Sequence, residues 1–255
     1  MIKIMAHRGA RNLWAENSLT GFRNVLKLDV DSVEFDLHLT GAGQILVIHD
    51  STLERTTDAE GYVRDLDDDA RRAIRLKDEQ GNVTGDSIPT FDEVLDVFAM
   101  RPELKLYVEL KSGPDGTPYE GLVEKAVEII KARGIEERVV LHSFDRSVVE
   151  RCAEVAPEIE RLMSLNTEWV ERNGGLEHFF ASVEPLVQYV GVHHALFEAE
   201  FERITSLFPN ERLGVWTLNE RDLIDRWMQR DVAYITSDSP DLVIASRLAL
   251  AKQPA

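Results

Sequence analysis

The 255-residue sequence predicts an α/β protein, a closed (β/α)8 TIM barrel with a small subdomain inserted after the second barrel strand. Three observations lead there. Short apolar or alternating segments near residues 4, 35, 108, 141, 162, 191, 215 and 235 are mostly followed by segments of helical period, as in a parallel sheet wrapped in helices. The length suits one large barrel, with two small domains as the other possibility. The glycine fingerprint of a dinucleotide fold is missing after the first strand, which places an open doubly wound sheet second to the barrel.

Ile2–Ala6 reads as the first strand and runs into His7-Arg8-Gly9-Ala10. Glu16-Asn17-Ser18 supplies caps for a helix over Leu19–Leu28, with Phe22, Val25 and Leu26 on one face. Ser32–Thr40 is the central strand: Glu34, Asp36 and His38 alternate with Phe35, Leu37 and Leu39, so the polar three share a face. Gly41–Gln44 is too short for a parallel crossover, so Ile45–His49 folds back as an antiparallel arm. Asp50–Ser87, rich in charge and turn residues, is too long for a plain loop and is read as a small lobe over the barrel mouth. Its acidic run Asp65–Asp69 is a solvated helix start, and Asp78–Gly85 is weakly hairpin-like.

Helix Pro89–Ala99 precedes strand Leu104–Lys111, in which Glu109 and Lys111 share a face. Helix Tyr119–Arg133, strand Arg138–Phe144, helix Asp145–Ala156 and strand Ile159–Leu165 follow. Glu168–Glu184 is helical but broken at Gly174-Gly175. Tyr189–His194 is strand, Ala199–Phe208 helix, Arg212–Asn219 strand, Glu220–Arg230 helix, Ala233–Asp238 strand and Pro240–Ala251 a closing helix. The whole of 1–255 is one domain, with 50–87 as its inserted subdomain.

Composition excludes several functions. A formal charge of −17 opposes non-specific nucleic-acid binding and docking on an anionic membrane. The single cysteine, Cys152, sits among Val148, Val149, Ala153 and Val155 and reads as a packed, inert thiol. No segment has the length of a membrane span, and Met1–Ala6 is too short for a signal peptide, so a cytoplasmic location is expected.

In a barrel the strand carboxyl ends face the active site. Those ends collect His7 and Arg8 from the first strand, Glu34 and Asp36 from the second, Glu109 and Lys111 from the third, with His49 arriving on the arm. Buried carboxylates on one face repel and lose hydration, and a hard divalent cation relieves both costs. Glu34, Asp36 and Glu109 are therefore candidate ligands. An unperturbed imidazole titrates near neutrality, so His7 and His49 are candidates to exchange protons as acid and base, while Arg8 and Lys111 suit phosphate oxygens.

These residues resemble the glycerophosphodiester phosphodiesterases, relatives in fold and site of the phosphatidylinositol-specific phospholipases C. His7-Arg8-Gly9-Ala10, Glu16-Asn17, Glu34-Phe35-Asp36, Val47-Ile48-His49-Asp50 and Arg55-Thr56-Thr57 follow the family's order and spacing. Ile88-Pro89-Thr90, Val108-Glu109-Leu110-Lys111, Ser143-Phe144, Trp216-Thr217-Leu218-Asn219 and Ser237-Asp238-Ser239-Pro240 continue it, while Ile159–Pro209 adds little. The resemblance implies one Mg²⁺ or Ca²⁺ ion and hydrolysis of a small glycerophosphodiester to glycerol 3-phosphate and an alcohol. It implies His7 and His49 as acid and base, Glu34, Asp36 and Glu109 as ligands, and Arg8 and Lys111 on the phosphate, with Glu16 and Trp216 as further substrate-binding candidates. Ala15 and Ala42 depart from the family's usual proline and acidic residue, off the proposed metal shell. A phospholipase acting on lipid and a catalytically silent barrel binding phosphorylated metabolites are the alternatives. Charge opposes the first, and the presence of both histidines opposes the second.

Other histidines read more plainly. His38 is expected in a supporting or surface position, and His142 at a strand end as a packed or mouth residue. Of the adjacent His193 and His194, at most one faces inward. Trp216 either fills the barrel or walls a substrate pocket.

Overall fold

The structure is a computed structural model that describes residues 1–252. Its elements, in chain order, are β1 (Lys3–His7), α1 (Leu19–Val25), β2 (Ser32–Leu39), β3 (Ile45–Val47), α2 (Asp68–Ala73), α3 (Phe91–Phe98) and β4 (Lys105–Leu110). Then come α4 (Leu122–Arg133), β5 (Val139–Ser143), α5 (Arg146–Val155), β6 (Glu160–Leu165), α6 (Thr167–Arg172), α7 (Leu176–Val183) and β7 (Tyr189–His193). The chain ends in α8 (His194–Ala199), α9 (Phe201–Leu207), β8 (Leu213–Trp216), α10 (Arg221–Trp227), β9 (Tyr234–Ser237) and α11 (Pro240–Ala251).

Strands β1, β2, β4, β5, β6, β7, β8 and β9 pair in parallel in that order, and β9 returns to β1, closing a (β/α)8 TIM barrel. β3 pairs antiparallel with Leu37–Leu39 at the far end of β2. Alternation sorts the side chains. Val33, Phe35 and Leu37 of β2 face the helices and join the main core. Phe22 of α1 meets Phe35 edge-on at 5.7 Å, and Phe35 stacks on Phe98 of α3 at 5.9 Å. Each such buried ring contributes about 1.5–3 kcal/mol, and together they hold β2 rigidly with Glu34 and Asp36 on its other face. α3 is itself fixed by a capping box between Thr90 and Glu93.

The barrel interior is filled below the mouth by Met5, Tyr107, Val140, Leu162 and Tyr234. Gly214 makes room for this plug, because a Cβ there would lie 1.9 Å from the Tyr234 ring. Lys105 and Glu160 pair at the bottom.

Residues 50–87 build a second apolar cluster, in which Leu53, Val63, Leu66 and Leu76 join Leu46 and Ile48 of the arm. The acidic run caps α2 through Asp67, whose side chain accepts from Ala70 N. Residues 78–82 close a turn, with Asp78 N–H donating to Asn82 O. Two local expectations change. His194 opens helix α8 rather than ending a strand, and the helix expected from Ala199 begins at Phe201 after a separate turn of helix. Cys152 is buried, and burial pushes its thiol up to about 12.

Candidate active site

His7, the last residue of β1, pairs in register with Glu34 of β2, and Asp36 pairs with Glu109 of β4. That register alone brings strand-end charges onto one mouth. The turn after β1 is unusual: Arg8, Gly9 and Ala10 have φ of +49°, +75° and +67°, and Asn17 has +54°. Left-handed backbone at non-glycine residues costs of order 1–3 kcal/mol each. Here the turn aims the Arg8 N–H at Glu34 Oε2, 3.2 Å away. A side chain at Gly9 would strike the Phe22 ring at 2.9 Å.

His7 and His49 each have Nδ1 on a carboxylate. His7 Nδ1 lies 2.5 Å from Asp238 Oδ1, and Asn219 holds that carboxylate by donating to Oδ2 at 2.7 Å. His49 Nδ1 lies 2.6 Å from Asp50 Oδ1. Arg55 donates to Asp50 Oδ2 at 2.5 Å and grips Glu16 through both terminal nitrogens, at 2.9 and 2.8 Å. With Nδ1 so engaged, each ring has its Nε2 left for chemistry. Burial and the Arg8 charge hold the His7 imidazole below its ordinary value, with Asp238 opposing them. Burial would raise Asp50, but its bonds from His49 and Arg55 hold the carboxyl well below the usual range.

The carboxylates are unevenly satisfied. Asp36 is fully buried; Lys111 Nζ lies 2.9 Å from its Oδ1, Asn17 donates to Oδ2 at 2.8 Å, and Arg8 Nε is 3.5 Å away. Burial pushes Asp36 up, yet Lys111, His49, Arg8 and Asn17 together hold it well below the usual range. Lys111 also contacts Glu109 Oε1 at 2.5 Å. Glu34 differs: burial and the neighbouring Asp36 and Glu109 push its carboxyl well above the usual range, and its Oε1, which like Asp36 Oδ1 makes no hydrogen bond, has no ion-pair partner either among the described residues.

The mouth opens a cavity of about 230 Å³ lined by His7, Arg8, Glu34, His49, Glu109, His142, Trp216 and Asp238, among others. Phe144, Trp216, Leu162 and Tyr234 give it an apolar half. Trp216 donates from Nε1 to Gly191 O at 3.0 Å and meets Phe144 edge-on at 5.4 Å, so it walls the cavity. Asp36, Lys111 and Glu16 adjoin the lining residues: Asp36 and Lys111 pair with each other, and Glu16 is the hub joining Arg55 to Arg8. His38 supports the site from behind: its Nε2 donates to the His49 carbonyl and its Nδ1 accepts from Tyr119, both at 2.9 Å. Of the adjacent histidines, His193 packs edge-on against Trp216 at 4.9 Å.

One donor atom each from Glu34, Glu109 and His142 lie within 4.8 Å of one another, a spacing that suits a metal ion. The unpartnered Glu34 oxygen facing the cavity fits the same purpose. The sequence carries Asn219 and Asp238 only inside motifs, with no role assigned to either, and does not single out Ser164; His142, expected as a packed or mouth residue, lines the mouth. Asp238 was within reach, because Tyr234, Thr236 and Asp238 alternate in the last strand as Glu34 and Asp36 do in the second.

The barrel and this mouth place the protein among the (β/α)8 phosphodiester hydrolases. The chain belongs to the glycerophosphoryl diester phosphodiesterase family, whose sequence profile matches residues 7–242. It is 29% identical over 243 residues to a glycerophosphodiester phosphodiesterase of Caldanaerobacter subterraneus subsp. tengcongensis, covering 94% of this chain and 96% of that one. Its fold matches a crystal structure from Agrobacterium tumefaciens, provisionally named a glycerophosphoryl diester phosphodiesterase, with TM-score 0.88 and 24% identity over 99% and 100% of the two chains. It also matches an Oleispira antarctica phosphodiesterase in complex with the product sn-glycerol-3-phosphate, with TM-score 0.76 and 21% identity over 96% of each chain. The protein is therefore an enzyme of the phosphoric diester hydrolase class. Among the described residues, no helix is long and apolar enough to cross a membrane.

Proposed function

We propose that the enzyme hydrolyses small glycerophosphodiesters to glycerol 3-phosphate and an alcohol, with His7 and His49 as its proton-transferring pair. The observation that carries this is the matched pairing of His7 with Asp238 and His49 with Asp50 on one mouth. Cleavage of a phosphodiester requires a proton removed from the attacking oxygen and a proton given to the departing alkoxide. One imidazole starting neutral and one starting protonated accomplish both, each typically worth about 10²–10⁴-fold. The carboxylate on each Nδ1 fixes the tautomer and stabilises the imidazolium when it forms.

Arg8 lines the cavity and Lys111 contacts Glu109, which also lines it, and both cations serve the phosphate oxygens. Glu34 and Glu109, with Asp36 as the third carboxylate, would hold a divalent cation; an all-carboxylate set suits Mg²⁺ or Ca²⁺. Such an ion supplies Lewis-acid stabilisation of charge on the phosphoryl group. Lys111 bridges Asp36 and Glu109, offsetting the repulsion between these two carboxylates. Trp216 and Phe144 form the apolar wall against the substrate's carbon skeleton. Residues 50–87 cover the glycerol end of the substrate, anchored to the β1 side of the mouth by Arg55 on Glu16 and by Glu79 on Arg11.

A coupled assay for glycerol 3-phosphate tests the reading across choline, ethanolamine, glycerol and inositol diesters, with and without added cation. Release from at least one diester is expected. A fully metallated protein that releases none from any of them contradicts the reading.

A further inference from the structure

His142 occupies a position that the proton-transfer scheme leaves unused. It points inward from β5, where the register sets it beside Glu109 of β4, and it is only 7% exposed. Its Nε2 lies 2.7 Å from Ser164 Oγ on β6, and its Nδ1 lies 3.7 Å from Glu109 Oε2. A serine–histidine–carboxylate order suggests a nucleophile, but 3.7 Å is too long for the hydrogen bond that would orient such a base. The arrangement fits a different task. When Ser164 accepts the Nε2 proton, the Nδ1 lone pair is left facing the carboxylates. A metal-bound histidine is commonly fixed in this way by a partner on its other nitrogen. Glu34 Oε1 is buried, unpartnered and on the same cavity. Donor atoms of Glu34, Glu109 and His142 all fall within 4.8 Å of one another.

We propose that His142 is a nitrogen ligand of the divalent cation, joining Glu34 and Glu109 in a mixed nitrogen–oxygen site, with Ser164 as its positioning residue. The proposal rests on the reading that these carboxylates hold a cation, and it changes which cation that is. Mg²⁺ and Ca²⁺ seek oxygen and gain little from an imidazole. Mn²⁺, Co²⁺ and Zn²⁺ accept imidazole well, so the site discriminates in favour of first-row transition ions.

The test is binding rather than turnover. The full chain is titrated with Mn²⁺ and separately with Ca²⁺ by equilibrium dialysis, and the Mn²⁺ complex is examined by pulsed electron paramagnetic resonance for coupling to ¹⁴N. The wild type is expected to show ¹⁴N coupling and to bind Mn²⁺ more tightly than Ca²⁺. His142→Ala should lose the coupling and about 10²-fold in Mn²⁺ affinity, with Ca²⁺ binding little changed, which also reports an intact fold. Ser164→Ala should keep the coupling and bind Mn²⁺ roughly 10-fold more weakly. Glu34-dependent Mn²⁺ binding without ¹⁴N coupling overturns the assignment while leaving the carboxylate site standing. Coupling that persists in His142→Ala belongs to another imidazole and overturns it equally. A wild type that binds neither ion removes the cation site and the proposal with it.

Discussion

Asp238 and Glu34 are both buried carboxylates at the mouth, yet their surroundings give them opposite roles. Asp238 has His7 on one oxygen and Asn219 on the other; burial pushes it up, but those bonds hold it below the usual range. It stays ionised and orients a base. Asp238→Asn keeps the shape and removes the charge, so kcat should fall by roughly 10²–10⁴-fold. Cation affinity should be unchanged, and the two are separated by kinetics run beside a metal titration. Glu34, by contrast, is crowded by like charge and has an oxygen without a partner. In the cation-free protein near neutral pH, Glu34→Gln should raise stability to urea by about 1–3 kcal/mol, because the amide needs neither a desolvated charge nor the proton uptake that the raised Glu34 carboxyl demands on folding. In the presence of cation the same substitution should lower stability relative to wild type, because the ligand is lost. Urea unfolding with and without cation reads both signs, and equal signs in the two conditions would count against Glu34 as a ligand. Tyr234 makes a simpler case. Its hydroxyl is buried without a partner, so Tyr234→Phe should be neutral or slightly stabilising in the same unfolding measurement.

Among the elements, β2 and the segment that follows it do most to shape the mouth. The alternation in Ser32–Leu39 made both of its faces legible, and the shortness of the Gly41–Gln44 link made β3 legible as an antiparallel arm. The arm's strand ends at Val47, however, and His49 lies beyond it in irregular chain. What holds His49 there is a set of side chains. His38 grips its carbonyl, and Asp50, Arg55 and Glu16 run from its ring to the β1 turn. Arg55→Ala should therefore leave the barrel folded, as read by circular dichroism, and lower kcat/KM by up to about 10²-fold through a misplaced ring. Undiminished kcat/KM would show that Asp50 alone suffices. The sequence motif around His49 pointed to the histidine; its supports come from a loop, a lobe and a neighbouring strand, and no local pattern joins them.

At the scale of the whole molecule, barrel closure decides what could be read in advance. Repeating strand and helix periods give the eight-stranded order, and the rule that strand carboxyl ends face the site collects His7, Arg8, Glu34 and Glu109. Contacts made by closure itself were not legible. Asp238 meets His7 across 231 positions because β9 returns beside β1. His142 meets Ser164 because of the β5–β6 register, a long-range fact that a period-2 pattern does not carry. Likewise, Asp36 and Lys111 share a face with site residues, but their engagement with each other is a cross-strand contact that no local pattern carries. Proton transfer by the two histidines His7 and His49 lining this mouth is the central claim. The measurement that tests it most directly is turnover of His7→Ala, His49→Ala and the double variant on a diester with a poor leaving alcohol, alongside direct cation titration. Each single variant should lose about 10²–10⁴-fold or more in kcat, the double variant should lose far less than the product of the two, and cation affinity should survive in all three. Near-normal turnover in either single variant would contradict the account.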